Sequence, residues 1–344
     1  LKALHEAGHE VHAVLWVYRG LRPIDFRPDL TLDENGLTEV KNALPYRCYP
    51  LSYEGEYWGA NRVEEYIRQI KPDVILAHGD PQHLQAGGMG VIEQARKHEI
   101  PLVAYVAIDG ENHRDWTGQN FNMINFPVVY THWAREVLCK EFEGYPFTKV
   151  IRTIYPPHKL LHWIEEEERK QLKKDPPFKI KNWEGKEFGS LEDKKIILAV
   201  GRNTQRKAHA RLIRAVRLLK NESKRDDFVV IFHTNPRAPT TMALDLIQLT
   251  LIYGVDDKVI FTFNPDPAAE SGIVTDAALN LLYGMADIHV MSSKREGFGL
   301  PLIEAAMSGT ASITTNYASM AEVLADERGW LVPFSDFEHC PEYN

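Results

Sequence analysis

The run Ile288-His289-Val290-Met291-Ser292-Ser293-Lys294-Arg295-Glu296-Gly297-Phe298-Gly299-Leu300-Pro301-Leu302-Ile303-Glu304-Ala305-Ala306 decides the architecture. Residues 288–291 read as a short buried strand, and a polar loop with two glycines follows. Pro301 then stands where a first-turn proline opens a helix. A strand that feeds a helix through a tight loop is the repeating unit of a parallel α/β sheet. The same punctuation recurs upstream. Residues 196–200 lead into Gly201-Arg202-Asn203-Thr204-Gln205-Arg206-Lys207, and the next helix carries Leu212, Ala215, Val216 and Leu219 on one face.

Working outward, further apolar runs fall at 11–17, 73–78, 102–107, 128–131 and 150–154, then at 228–233, 259–263, 311–314 and 330–332. Runs so uniformly apolar suit strands covered on both faces, hence parallel sheets with helices on either side. Tyr155-Pro156-Pro157, a charged helix over 159–174 and the Pro- and Lys-rich stretch 175–195 separate the two series and mark a boundary. The acidic run 165–168 reads as a solvated helix face. The fold expected is α/β: two Rossmann-like, doubly wound parallel-sheet domains, 1–156 and 157–344, facing across a cleft where ligands sit. Leu1 and Leu4 read as one face of a helix that ends near Gly8, with no strand ahead of it. A short polar tail follows residue 333, so truncation at both ends is expected.

Composition narrows the function. Over 344 residues, 40 Lys and Arg against 48 Asp and Glu give a formal charge of −8, which argues against a general polyanion or nucleic-acid binder. The three cysteines, Cys48, Cys139 and Cys340, lie far apart and build no zinc spacing or disulfide framework, which favours a reducing, cytoplasmic setting. No apolar run approaches the ~20 residues of a membrane span, and peripheral membrane contact stays open.

The chemistry concentrates in the two glycine loops. Gly297 and Gly299 lack Cβ atoms, so backbone N–H groups can approach a ligand, and the helix N-terminus adds partial positive charge suited to phosphate. Glu296 on the loop and Glu304 about one turn into the helix accept hydrogen bonds without donating any, which suits the paired hydroxyls of a sugar or a ribose. Phosphate between two hydroxyl-bearing groups is the layout of a sugar nucleotide. The plainer reading is a capped strand-to-helix turn with Glu304 facing solvent. A dinucleotide fingerprint fits badly, because Leu302 stands at the third glycine position. Arg202 and Lys207 can neutralise a pyrophosphate and take the part of a divalent metal, and the chain has no Asp-x-Asp pair. Taken alone, each is equally a surface charge, and Arg206 is read as one.

At these residues the chain resembles glycosyltransferase family 4 and its relatives of GT-B fold. The Glu296…Glu304 segment with Gly-Phe-Gly-Leu-Pro inside is similar to the family signature, and Gly201-Arg202…Lys207 resembles its phosphate loop. Residues 316–323 resemble the usual continuation. The resemblance implies a retaining, generally metal-independent transfer of a sugar from a nucleotide-diphosphate donor to an acceptor hydroxyl, with no further cofactor. Arg202 and Lys207 would hold the donor phosphates. Glu296 with the backbone of Gly297, Phe298, Gly299 and Leu300 would hold the sugar and distal phosphate, and Glu304 the ribose. The acceptor, whether glycan, lipid-linked or small molecule, stays unassigned. Many members place a His after the strand corresponding to 102–107. Here Asp109 stands in that region and is the candidate polar group near the reacting sugar, or else a turn-forming Asp before Gly110. A sugar-nucleotide isomerase and a non-catalytic nucleotide-sugar-binding protein are the alternative functions.

Outside these loops, His113, Arg114 and Trp116 read as a surface loop that could line an acceptor site, and His233 as a satisfied strand-end His. Gly87-Gly88-Met89-Gly90 suggests close helix packing or a kink, and Thr131 a helix cap.

Overall fold

The computed structural model describes residues 1–15, 24–25, 31–33, 36–38, 47–51, 60–84, 90–156, 161–176, 190–223, 225–238, 243–262 and 276–335. It divides into two compact units. The first comprises 1–107, 112–129 and 138–153, and the second 108–111, 130–137 and 154–344.

In chain order the first part runs α1 (Lys2–Glu6), β1 (His12–Leu15), β2 (Ile24–Asp25), β3 (Thr31–Asp33), β4 (Gly36–Thr38), β5 (Arg47–Pro50), α2 (Ala60–Ile70) and β6 (Ile75–Gly79). It continues with α3 (Pro81–Leu84), α4 (Val91–Lys97), β7 (Leu102–Val106), α5 (Asp115–Asn122), β8 (Phe126–Val129), α6 (His132–Glu141) and β9 (Arg152–Thr153). Strands β6-β7-β8-β9 form a parallel sheet, as their uniformly apolar sequences predict. Strand β1 pairs in parallel with β5, β2 joins β5 antiparallel, and β3 and β4 form a separate antiparallel pair. Strands β2 to β5 escape the sequence reading because Arg47-Cys48-Tyr49-Pro50 and its predecessors lack a continuous apolar run. Gly90 caps α4 in a left-handed conformation, φ 63°, whereas Gly87, Gly88 and Met89 lie outside the described residues.

The second unit contains α7 (Glu166–Lys174), β10 (Lys195–Val200), α8 (His209–Ser223), β11 (Phe228–His233), α9 (Leu246–Tyr253) and β12 (Val259–Phe261). After these come α10 (Asp276–Met285), β13 (Ile288–Met291), α11 (Leu300–Met307), β14 (Ser312–Thr315), α12 (Ala318–Val323) and β15 (Trp330–Val332). All six strands are parallel, in the order β12-β11-β10-β13-β14-β15. Successive residues face opposite layers. Ile196, Leu198, Val229 and Ile231 pack with Leu282 and Tyr283 on one side, while Ala199, Phe228, Val230 and Phe232 pack with Ile213 and Leu246 on the other. The chain winds outward from β10 in one direction and then restarts at β13 in the other. The C-terminal ends of these two neighbours therefore open the crevice where such sheets bind ligands.

The acidic run of α7 is solvated as predicted, but the opposite face of that helix is not. Arg169 donates to the carbonyls of Ala286 and Gly309, and Lys173 meets Asp287 at 2.6 Å. The Asp287 carboxylate also accepts the Ile196 N–H at 2.7 Å, so α7 is pinned to the start of β10. Nearby, Gly284 of α10 lies against Ile164, and a Cβ built there would overlap the Ile164 side chain. Gly284→Ala is therefore expected to destabilise the protein by about 1–3 kcal/mol in urea unfolding despite alanine's better helix propensity. In an Ile164→Ala background, which removes the overlapping side chain, the same substitution should cost less. An unchanged or raised midpoint for the single variant would refute the packing argument.

Candidate active site

Two loops leave the adjacent ends of β10 and β13. The first runs from Gly201 through a 3-10 turn at Gln205–Lys207 to Ala208, which closes it in a left-handed conformation, φ 52°, before α8. The second runs from Ser292 to Gly299, whose φ of 95° and near contacts (an added Cβ would lie 3.2 Å from Leu302 Cδ1 and 3.3 Å from Met291 Cε) favour glycine. Hydrogen bonds join the loops. The Lys294 N–H donates to the Arg206 carbonyl at 2.9 Å, Ser292 Oγ to the Lys207 carbonyl at 2.9 Å, and Arg206 Nη1 to the Arg295 carbonyl at 2.8 Å.

Glu296 lies at the centre with 6% of its surface exposed. Its Oε1 accepts from Lys207 Nζ at 2.5 Å and from Ser293 Oγ at 2.6 Å, and its Oε2 accepts from Arg206 Nη1 at 2.7 Å. Ser319 Oγ donates to the Glu296 carbonyl at 2.6 Å. Burial by itself pushes this carboxyl up. The Lys207 and Arg206 charges outweigh it and hold the group below the usual carboxylate range. Arg202, by contrast, is exposed and makes no ion pair among the described residues.

Two buried imidazoles flank the cluster. His209, the first residue of α8, uses Nε2–H toward the carbonyls of Gly201 at 3.3 Å and Arg202 at 3.1 Å, so it shapes the first loop. Burial lowers its pKa to about 4, and the same cause, with Lys207 adding to it, takes His289 of β13 to about 3. Both are neutral at physiological pH. His289 pairs through Nδ1 with Ser312 Oγ at 3.0 Å.

Glu304, the fifth residue of α11, is also buried, and its Oε2 accepts from the Tyr283 hydroxyl at 2.8 Å. Gly297 is half-buried, Phe298 is buried with its ring 5.7 Å from that of Tyr155, and Leu300 opens α11 on the surface. Asp109 carries its carboxylate 3.8 Å from the Arg295 guanidinium, on the same loop as Glu296.

Residues 182–342 match the family described as glycosyl transferases group 1. That match lies wholly within the second unit, which over those residues is similar to group 1 glycosyltransferases. Two curated relatives align with part of the chain. A mannosylfructose-phosphate synthase of Agrobacterium fabrum is 29% identical over 136 residues, 38% of this chain and 27% of that protein. A serotype-specific mannosyltransferase, WbdA of Escherichia coli, is 30% identical over 160 residues, 44% of this chain and 18% of that protein. The chain thus spans less than a third of the length of these relatives. Sucrose-phosphate synthase from Thermosynechococcus elongatus superimposes over 97% of this chain and 78% of its own, with a TM-score of 0.63 at 16% identity, a likeness that assigns the GT-B fold.

Within the second unit the structure brings Lys207, Glu296, Gly297, Phe298 and Gly299 together, with Asp109 beside the same loop, while Glu304 is held separately by Tyr283. Arg206 corrects the sequence reading: it is an ion-pair partner of Glu296 rather than a surface charge. Neighbouring residues usually point apart, but the 3-10 turn and the left-handed Ala208 let Arg206 and Lys207 reach one carboxylate. No local pattern in the sequence marks His209, Ser293, Ser319 or Tyr283. His113 is engaged with Glu141 at 2.6 Å, and His233 with Thr262 Oγ1 at 2.7 Å. Thr131 caps α6, accepting the Ala134 N–H at 3.1 Å.

Arg206→Ala leaves buried Glu296 with Lys207 as its one ion-pair partner among the described residues. Unfolding free energy is expected to fall by about 3 kcal/mol, the lower end for breaking a buried pair. A change under about 1 kcal/mol in urea would show that Lys207 alone sustains the carboxylate.

The imidazoles predict a pH dependence. The folded His209 pKa of about 4 lies below the ordinary 6.5, so its contribution is complete above 6.5 and is lost as pH falls toward 4. His209→Gln keeps an N–H donor without the titration. Its stability should decline less between those limits, by about 3 kcal/mol, at 1.36 kcal/mol per pKa unit. Parallel pH profiles for the two proteins would rule this out.

Proposed function

We propose that this protein is a glycosyltransferase that moves a sugar from a nucleotide-diphosphate sugar to an acceptor hydroxyl, with retention at the anomeric carbon and without a metal or other cofactor. The observation that carries the reading is the buried Glu296–Lys207–Arg206 cluster where the strand order reverses, backed by a glycine loop that opens a helix. Two cations against one carboxylate leave that corner net positive, and the N-terminus of α11 adds partial positive charge. Such a corner suits a departing diphosphate. Lys207 and Arg202 would stabilise the charge that develops on it, as a divalent metal otherwise would. Glu296 and the backbone of residues 297–300 would hold the sugar and distal phosphate, and Glu304 the ribose. Asp109, next to Arg295, would stand near the reacting sugar. Both of these relatives are named for a mannosyl group, so mannosyl donors are the first to try. The acceptor is a hydroxyl of a glycan, a lipid-linked saccharide or a small molecule. A cytoplasmic setting supplies nucleotide sugars and suits the free thiol of Cys139. Among the described residues no helix is long and apolar enough to cross a membrane.

Thermal melting of the full protein with UDP, GDP, ADP and CDP tests the site. Ligand at ~100 times its dissociation constant adds about 2.7 kcal/mol, a visible shift. One nucleotide should raise the midpoint, and Arg202→Ala and Lys207→Ala should each abolish the rise. No shift with any of the four would overturn the reading. A donor altered without any acceptor would indicate isomerase chemistry instead, and binding without turnover a non-catalytic role. Nuclear magnetic resonance of the product's anomeric centre reads retention directly.

A further inference from the structure

We infer that Tyr283 sets the ribose selectivity of the nucleotide site by fixing Glu304 with one carboxylate oxygen occupied and the other offered to the ligand. The inference depends on the reading above, in which Glu304 takes the ribose hydroxyls.

Tyr283 sits on α10 with none of its surface exposed, and its hydroxyl donates to Glu304 Oε2 at 2.8 Å. The second oxygen, Oε1, makes no hydrogen bond among the described residues. A carboxylate accepts and does not donate, so the unoccupied oxygen can receive hydrogen bonds from hydroxyls and from little else that a nucleotide offers there.

The tyrosine itself has no freedom to move. Thr310 Oγ1 donates to its carbonyl at 2.7 Å, the His289 ring stands edge-on at 5.5 Å, and the side chain packs in the same cluster as Leu198, Met285 and Ala305. Burial, with the Glu304 charge in support, pushes the phenol well above its ordinary value, so it stays a donor throughout the physiological range. A glutamate on a helix would otherwise sample several rotamers. Anchored through Oε2, it keeps one, and orientation is what separates a receptor for a hydroxyl from a charge at a surface. Tyr283 is thus a positioning residue. It need not touch the ligand.

The test measures dissociation constants by calorimetry for the nucleoside diphosphate that shifts melting, and for its 2′-deoxy and 3′-deoxy counterparts. The wild type should prefer the ribonucleotide ~10-fold or more over at least one deoxy form. In Tyr283→Phe the ribonucleotide should weaken ~10-fold while that deoxy form stays within ~2-fold, so the preference collapses. Equal losses on both nucleotides would mark a merely structural hydroxyl and overturn the inference, as would an unchanged preference. Placing 3-fluorotyrosine at Tyr283 supplies a stronger donor in the same packing. It should keep or raise the preference, and a lowered preference overturns the inference even if the Phe variant fails to fold. A wild type that binds both nucleotides equally removes the inference and leaves nucleotide binding standing. A wild type that binds no nucleoside diphosphate removes the proposed function as well.

Discussion

A carboxylate taken out of water must find cations and donors in its place, and Glu296 finds them on both loops of the crevice. Lys207 and Arg206 come from the loop after β10, whereas Ser293 comes from the loop after β13. Desolvation of such a group is costly, and the geometry offsets it only while all three partners stay in place. The cluster therefore fixes the loops relative to each other as well as neutralising a charge. The neighbouring imidazoles stay neutral chiefly because they are buried: desolvation lowers His209 and His289, and the Lys207 charge adds to it.

The position of that cluster follows from topology. In the second unit β10 and β13 are adjacent although they are far apart in sequence, and the helices that follow them leave on opposite sides of the sheet. The two loops between those helices are thus brought side by side without any contact between them being required in advance. Once adjacent, they add the backbone bonds through Lys294 and Arg206 and the Ser292 bond to Lys207. Fold and site reinforce each other here: the sheet makes the crevice, and the ion cluster stiffens its rim.

This division also sets what the sequence could reveal. Uniformly apolar strands and helix-spaced faces are local patterns, so the parallel sheets of both units and the strand-to-helix turn at Pro301 were legible. Glu296, Glu304 and Lys207 stood out because glycines and a first-turn proline surround them or because they open a helix. Arg206 did not, since its reach depends on a 3-10 turn and on a left-handed Ala208, a conformation that alanine rarely advertises. Tyr283 was hidden for a different reason. It lies 21 residues from Glu304, in what reads as an ordinary buried helix position, and three-dimensional packing alone brings its hydroxyl to that carboxylate. Short mixed strands such as Arg47–Pro50 were missed because they lack the apolar run that signals burial on both faces.

The two glutamates of the signature loop and helix, alike in the sequence, have opposite environments. Glu296 is held by two cations and a hydroxyl, so its lone pairs are largely committed. Glu304 meets one neutral donor and keeps an oxygen without a partner among the described residues. A diphosphate held by Lys207 and Arg202, as proposed, would compete with Glu296 for Lys207, and that part of its affinity would be the difference between two strong interactions rather than the whole of one. A neutral hydroxyl reaching Glu304 faces no such competition. Discrimination between ligands is therefore expected to come more from the tyrosine-held carboxylate than from the charged corner. The charged corner would admit many diphosphates, and the tyrosine-held carboxylate would separate ribonucleotides from deoxy forms and from diphosphates that carry no ribose.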